Sequence, residues 1–336
     1  MVSLSLQAGG HQDGFSTDSD DLTRVLKRTN KRELEFYETF CHQLDQQQTQ
    51  SSSTSSGQRF IDTIEWRPKY YGQQGDHQDD LGRVTIILEN LTNLVRINET
   101  QGARVEERMF QSPNLMDLKL GQVLYDQLAS EEKVQRMIKA ASDTTSANFG
   151  IRLTGGMNYD NQTREYQTIP KTFGKSLSPD GSDLNRGFNS FFPIRPDERT
   201  SNTSKECGAA DNNLVYSAGG LSIEYMEKLL KRYIRPKLIK LVDYVSNFRW
   251  KVFGSSILIV YEGNQEALKR KLLEMDHNPN SSSDHICLVR MIDFAHAWPS
   301  DEVDNGLRLG FKTSIRLFDD LLSTIEKVSH KNVTSD

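Results

Sequence analysis

Cysteine is scarce in this 336-residue sequence: Cys41, Cys207 and Cys287 stand far apart and are odd in number. Three such residues offer no disulfide framework and fit a reducing compartment. Long apolar runs are missing as well. No stretch approaches the roughly 18 apolar residues of a membrane span. The first residues, MVSLSLQAGGHQDG, lack the charged start and apolar stretch of a secretory leader. Nor is there a basic excess, since Lys+Arg total 41 against 46 for Asp+Glu, a formal charge of −5. That balance argues against a protein that coats nucleic acid. The expectation left by these absences is a soluble intracellular chain, long enough for one large or two ordinary domains with a sizeable core.

Several catalytic signatures are absent too. Gly174-Lys175-Ser176 has the ending of a phosphate-binding P-loop, but position 169 is isoleucine where the first glycine is required. Gly9, Gly10 and Gly14 do not make a dinucleotide fingerprint and read as a turn. No paired histidines or His/Cys cluster supports zinc. No GxSxG occurs, and nothing marks a cysteine as a nucleophile. Asp117-Leu118-Lys119 matches part of a protein-kinase catalytic loop, but the HRD before it and the asparagine after it are missing.

What is present begins at residues 113–121, PNLMDLKLG, where one acid and one base interrupt an apolar run. Ionised side chains are costly to bury, so the pair needs a reason. As a strand, Leu115, Asp117, Lys119 and Gly121 share one face, with the two charges roughly 6–7 Å apart. A helix would set them about 200° apart. Two readings stand: an edge strand with a solvated ion pair, or one wall of a site.

Elsewhere, residues 22–26 read as a short strand ending at Lys27, and 33–42 as a helix with Leu34, Phe36, Tyr37, Phe40 and Cys41 at helical spacing. QQQTQSSSTSSGQ (46–58) reads as a mobile, low-complexity loop. Residues 83–88 suit a buried strand. Ser130 N-caps a predicted helix with Glu131 and Glu132 in its first turn. Val134, Met137, Ile138 and Ala141 form its apolar stripe, with Lys133, Arg136 and Lys139 on another side. Residues 157–220 are rich in Gly, Asn, Ser and Asp and predict loops around an aromatic patch, Phe188, Phe191 and Phe192. Residues 222–248 predict a long helix kinked or divided at Pro236. Strands at 255–261 and 286–294 flank a short helix and a variable loop at 276–284. A last helix runs from about residue 310 to 328, with Ile315, Phe318, Leu321, Leu322 and Ile325 as its stripe. The division expected is an N-terminal lobe, 1–91, and a larger C-terminal lobe, 92–336.

Four charged or hydroxyl clusters lie at strand ends or starts: Lys27, Asp117 with Lys119, Ser255 with Ser256, and Asp293 with His296. An acid closing an apolar strand, as in MIDF, is where a divalent cation is often held. Mg²⁺ takes only one or two carboxylates and leaves its other positions to water and phosphate oxygens. A lysine beside it neutralises charge on a transferring phosphoryl group. The combination suits nucleotide-dependent phosphoryl transfer. His296 reads as a substrate contact or a satisfied polar group.

Taken together, these motifs resemble the inositol polyphosphate kinase family. PNLMDLKLG resembles its PxxxDxKxG signature, SSILIVYEG its Ser-Ser-Leu-Leu segment and MIDFAHAW its Ile-Asp-Phe-Ala-His segment, in the family's order. AGGHQDG, Lys27 six residues before ELEFYE, LENL at 88–91, KTFGKSL and FNSFF add to the likeness, which spans roughly residues 7–320. YDQLASEEK is most similar to fungal inositol polyphosphate multikinases. Departures are modest: Asn114, Ile257, Lys175 and, more clearly, RLTGGMNY at 152–159.

The resemblance implies a two-lobed, protein-kinase-like α+β fold with antiparallel sheets and ATP in the interlobe cleft. It implies ATP and Mg²⁺ as cofactors and an inositol polyphosphate as substrate. Lys27 would contact the ATP phosphates, Glu89 and Leu91 would meet adenine through their backbone, and Asp117 would bind the ribose. Lys119 would reach the γ-phosphate and the accepting hydroxyl. Asp293 would hold Mg²⁺, supported by Ser255 and Ser256. His296 and a helix at about 122–142, through Lys133, Arg136 and Lys139, would receive inositol phosphates, for which arginine offers a planar fork. The activity implied converts inositol trisphosphate to tetrakis- and pentakisphosphates. A hexakisphosphate kinase making pyrophosphates and a kinase-fold transcriptional scaffold are the alternatives. Also expected are a monomer in nucleus and cytoplasm, transcription-factor partners, no direct nucleic-acid contact and no membrane insertion.

Overall fold

The computed structural model describes residues 14–50, 66–75, 78–100, 103–196, 213–245 and 249–333. The N-terminal part is built on an antiparallel sheet ordered β1 (Phe15–Thr17), β2 (Arg24–Thr29), β4 (Val84–Glu89), β3 (Tyr70–Gln73). Burial alternates along β2 and β4, so Val25, Lys27 and Thr29 turn inward with Val84, Ile86 and Leu88. Lys27 therefore lies within its strand, not at the end, because the ladder to β4 continues to Thr29. Helix α1 (Lys31–Gln50) follows at once, with the Asn30 side chain accepting the Glu33 N–H (3.1 Å). It takes in residues 46–50, which the polar composition had suggested were loop; residues 51–58 lie outside the described set. Phe36 of α1 stacks on Phe294 (centroids 4.1 Å apart) and meets Trp250 edge-on. One hydrophobic core thus runs through both halves of the molecule.

A hairpin, β5 (Val95–Thr100) and β6 (Ala103–Arg108), leads to β7 (Pro113–Leu120). β7 is the middle of a five-stranded antiparallel sheet ordered β12 (Cys287–Ile292), β11 (Ser256–Glu262), β7, β8 (Ile151–Tyr159), β9 (Tyr166–Ile169). The edge-strand reading of PNLMDLKLG is therefore overturned: apolar residues are needed on both faces because both are covered. β8 carries a bulge opposite the acid, where Asp117 pairs with Gly155 but Leu118 pairs with Leu153. Gly155 adopts φ 144°, and a Cβ on Gly156 would lie 2.2 Å from the Leu115 carbonyl. The segment that departs most from the family pattern is this bulge. A further pair, β10 (Trp250–Val252) with β13 (Ala297–Pro299), completes the strands.

Helix α2 (Glu131–Ser142) starts at its expected cap, with the Ser130 hydroxyl accepting the Lys133 N–H. It spans less than the 122–142 expected, and its apolar stripe is not a core face. Only Ala141 is buried, while Ile138 is 46% exposed. Residues 157–220 hold more structure than their composition suggests, including β9 and helical turns at Phe173–Ser176 and Leu184–Asn189. Phe188, Phe191 and Phe192 are fully buried there; residues 197–212 lie outside the described set. Glycine serves packing in this region, since a Cβ on Gly174 would meet the Leu153 carbonyl at 1.7 Å. Next, α3 (Ile223–Leu229) passes through a π-helical turn (Leu230–Ile234) into α4 (Arg235–Val245). Pro236 does divide the helix, but the chain absorbs it one turn early, where the Arg235 N–H reaches the Leu230 carbonyl. Helix α5 (Gln265–His277) intrudes on the expected 276–284 loop, and Asp284 is pinned by Lys237 and by Arg290 (3.0 Å). The last helix, α6 (Asn305–Val333), buries Phe318, Leu321, Leu322 and Ile325.

Candidate active site

Lys27 is pointed from β2 toward the C-terminal half, with its Nζ 2.7 Å from Glu33 Oε1 and 2.7 Å from Asp293 Oδ1. Burial opposes its charge, but the Asp293 and Glu33 carboxylates outweigh burial and raise its pKa above the ordinary lysine value. Glu33 is itself fully buried and also accepts from Thr29 Oγ1 (2.6 Å) and from the Phe294 N–H (2.9 Å). Sequence reasoning did not single out Glu33. The signal was an acid six residues after Lys27, in the first turn of a helix with an apolar face.

Asp293 follows β12 at φ 64°, a left-handed conformation that costs an L-residue roughly 1–2 kcal/mol. Lys27 and the Glu33–Phe294 bond hold it there. Burial raises its pKa, but Lys27, then Lys119 and Lys171, bring the carboxyl below the usual range. Asp117 sits in the middle of β7, 4% exposed, and is bonded by the Ser256 hydroxyl. Burial and the Asp293 charge push it up to about 6, against Ser256, Lys119 and Lys171. Its Oδ1 is buried without a protein partner, as is Ser255 Oγ. Lys119 Nζ donates to the Gly254 carbonyl (2.7 Å), and burial lowers its pKa despite Asp293 and Asp117.

Two further cations belong to this group. Arg152 of β8 stands opposite Lys119, largely buried, and burial depresses its pKa against the pull of Asp117. Lys171, exposed in the loop after β9, acts on both Asp117 and Asp293. Sequence reasoning passed over both, although they open the two segments RLTGG and KTFGKSL. His296 lies three residues past Asp293, with Nδ1 2.5 Å from Asp126 Oδ2. Glu89 ends β4 with its N–H donating to Lys69 O (2.9 Å), and the Asn90 N–H donates to Thr23 O (2.7 Å). Leu91 is buried against Phe110 and Leu115.

The structure thus gathers Lys27, Asp117, Lys119, Ser255, Ser256 and Asp293. Lys133, Arg136 and Lys139 stay on α2, and Lys139 is engaged by Asp143 (2.9 Å). No contact among the described residues joins the three to that group. Nor do three His, Cys, Asp or Glu side chains converge among the described residues as a self-sufficient metal cage. Asp293, its side chain 34% exposed and set among the cations Lys27, Lys119 and Lys171, instead fits a hard divalent ion that takes one carboxylate and completes its shell on phosphate oxygens.

A lysine on an N-terminal strand, paired to a glutamate on the next helix and facing an aspartate that closes a C-terminal strand, defines a kinase-type phosphotransferase. The sequence model of the family described as "Inositol polyphosphate kinase" matches residues 107–319. The chain belongs to that family. It is 25% identical to the inositol polyphosphate multikinase of Schizosaccharomyces pombe over 94% of this chain and 96% of the relative. It is 26% identical to the Saccharomyces cerevisiae multikinase, covering 78% and 73%. Inositol hexakisphosphate kinase 3 of Mus musculus is 26% identical but covers 56% of this chain and 39% of its own. The crystal structure of the S. cerevisiae multikinase Ipk2 in complex with ADP and Mn²⁺ superposes with a TM-score of 0.58 at 21% identity, covering 89% of this chain and 99% of that one. That likeness establishes the two-lobed kinase-like α+β fold.

Proposed function

We propose that this protein phosphorylates hydroxyls of inositol polyphosphates at the expense of ATP, converting inositol trisphosphate to tetrakis- and pentakisphosphate. The observation that carries the reading is the group Lys27, Asp117, Lys119 and Asp293, assembled from both lobes. Lys27, fixed between Glu33 and Asp293, neutralises the phosphates of the nucleotide. The Glu89–Leu91 segment meets the base. Since the amides of Glu89 and Asn90 are committed within the fold, the donor it offers is the Leu91 N–H. Asp117, with one oxygen open, accepts the ribose hydroxyls.

Asp293 holds the divalent cation, backed by Ser255 and Ser256. When bound, that ion supplies charge neutralisation across the phosphates. Lys119 is drawn from the Gly254 carbonyl toward the phosphoryl group in transfer. Its lowered pKa comes from burial, and a phosphate oxygen restores the lost solvation. Arg152 and Lys171 add positive charge where the acceptor's own phosphates would sit, joined by His296 and, from α2, by Lys133, Arg136 and Lys139. Coverage nearly end to end by a multikinase, against about half by a hexakisphosphate kinase, favours trisphosphate as the acceptor. Magnesium as the cation, a nuclear and cytoplasmic location, transcription-factor partners and a monomeric state are proposals resting on the resemblance alone.

Lys119→Ala and Asp293→Asn are expected to abolish phosphoryl transfer from ATP to inositol trisphosphate, measured by product separation, while Lys119→Ala unfolds at a temperature close to the parent's and Asp293→Asn stays folded. Full activity in either folded variant would refute these roles.

A further inference from the structure

Asp126 lies in the segment between β7 and α2, within YDQLASEEK but given no role above, and is only 5% exposed. Its Oδ2 meets His296 Nδ1 at 2.5 Å and Arg32 Nη1 at 3.2 Å. Its Oδ1 accepts the Leu128 N–H at 3.0 Å, so the carboxylate is fixed on both oxygens. Arg32 is held in turn, with its guanidinium stacked 3.6 Å over the Trp298 ring. His296 is a third exposed at its side chain, while the acid behind it is shielded. A carboxylate cannot donate, so the shared proton resides on Nδ1, and Nε2 becomes the nitrogen presented outward. Buried acids behind a working histidine set its tautomer and ring orientation in this way.

We infer that Asp126 is a positioning residue for phosphoryl transfer: it locks His296 with Nδ1 protonated and Nε2 turned to the acceptor, and through Arg32 it ties the start of α1 to the acceptor side. The inference deepens the proposed function and rests on it for the identity of the acceptor. The same carboxylate connects Arg32, next to the glutamate that holds Lys27, with His296, three residues past the aspartate proposed to hold the cation. Loss of the lock leaves nucleotide binding intact and misplaces the acceptor.

The test uses the full chain labelled with ¹⁵N-histidine, with His296→Gln identifying the His296 ring signals. In the parent the long-range ring correlations are expected to show the Nδ1–H form whenever the imidazole is neutral. In Asp126→Asn that single form gives way to a mixture, and Asp126→Glu restores it. Kinetics on inositol trisphosphate are expected to show kcat/KM for the acceptor falling at least tenfold in Asp126→Asn, the KM for ATP unchanged, and partial recovery in Asp126→Glu. An unchanged ring spectrum in Asp126→Asn overturns the inference, and so does a changed spectrum with unchanged turnover. A parent inactive on every inositol phosphate would sink the proposed function, whereas the spectrum still reports whether Asp126 sets the His296 tautomer.

Discussion

Burial pulls the two charges of PNLMDLKLG toward neutrality, raising Asp117 to about 6 and lowering Lys119 below its usual value. For Asp117 the native state therefore holds a proton that the unfolded chain has released once pH passes 3.8. Stability from this group falls as pH rises through the interval from 3.8 to about 6. Function follows the opposite sense, because a protonated Asp117 has spent an acceptor oxygen on its own proton. Nucleotide affinity is expected to weaken as pH drops below about 6, and Asp117→Asn to remove that component, as calorimetric titration of parent and variant would record. A pH dependence identical in both would show that Asp117 does not titrate in binding. At this scale the sequence was partly legible. Asp117, Lys119 and Asp293 interrupt apolar runs and so announce themselves. Glu33, Arg152, Lys171 and Asp126 do not, because their roles arise from contacts across long sequence separations, as with the 170 residues between Asp126 and His296.

In sequence both β7 and α2 set apolar residues apart from charged ones, yet the structure treats them in opposite ways. Leu118 in β7 is fully buried between covered faces, whereas Ile138 in α2 is 46% exposed. Leu118→Ala is expected to destabilise by about 2–5 kcal/mol. Ile138→Ser should stay within about 0.5 kcal/mol. Denaturant unfolding of the two variants measures both, and equal losses would contradict the placement of α2. Helices and strands were legible from their spacing and caps, Ser130 above all. Which strand lies in the middle of a sheet was not, because that depends on partners supplied by residues 151–159 and 256–262. The same limit hid the order in residues 157–196, where glycine and asparagine serve close packing as well as loops.

Across the whole molecule, the two lobes are joined at their charged centre and not merely by the chain. Lys27–Asp293, Glu33–Phe294, Asn30–Ala295 and Arg32–Asp126 all cross the junction, over the stacked rings of Phe36 and Phe294. Lys27 consequently has a structural duty that Lys119 lacks. Removing it leaves the buried Glu33 carboxylate without its ion-pair partner, a type of loss that destabilises by about 3–5 kcal/mol. Lys27→Met is expected to lose stability as well as activity, in contrast to Lys119→Ala, and thermal unfolding distinguishes them. An unchanged melting temperature in Lys27→Met would show that the pair contributes nothing to the fold.

The central claim is a phosphotransferase acting on inositol polyphosphates. Its most direct test is incubation of the full chain with Mg²⁺-ATP and, separately, inositol trisphosphate and inositol hexakisphosphate, with products resolved by anion exchange. Trisphosphate is expected to yield tetrakis- and pentakisphosphate. Turnover of hexakisphosphate alone, or transfer to neither, would contradict the assignment.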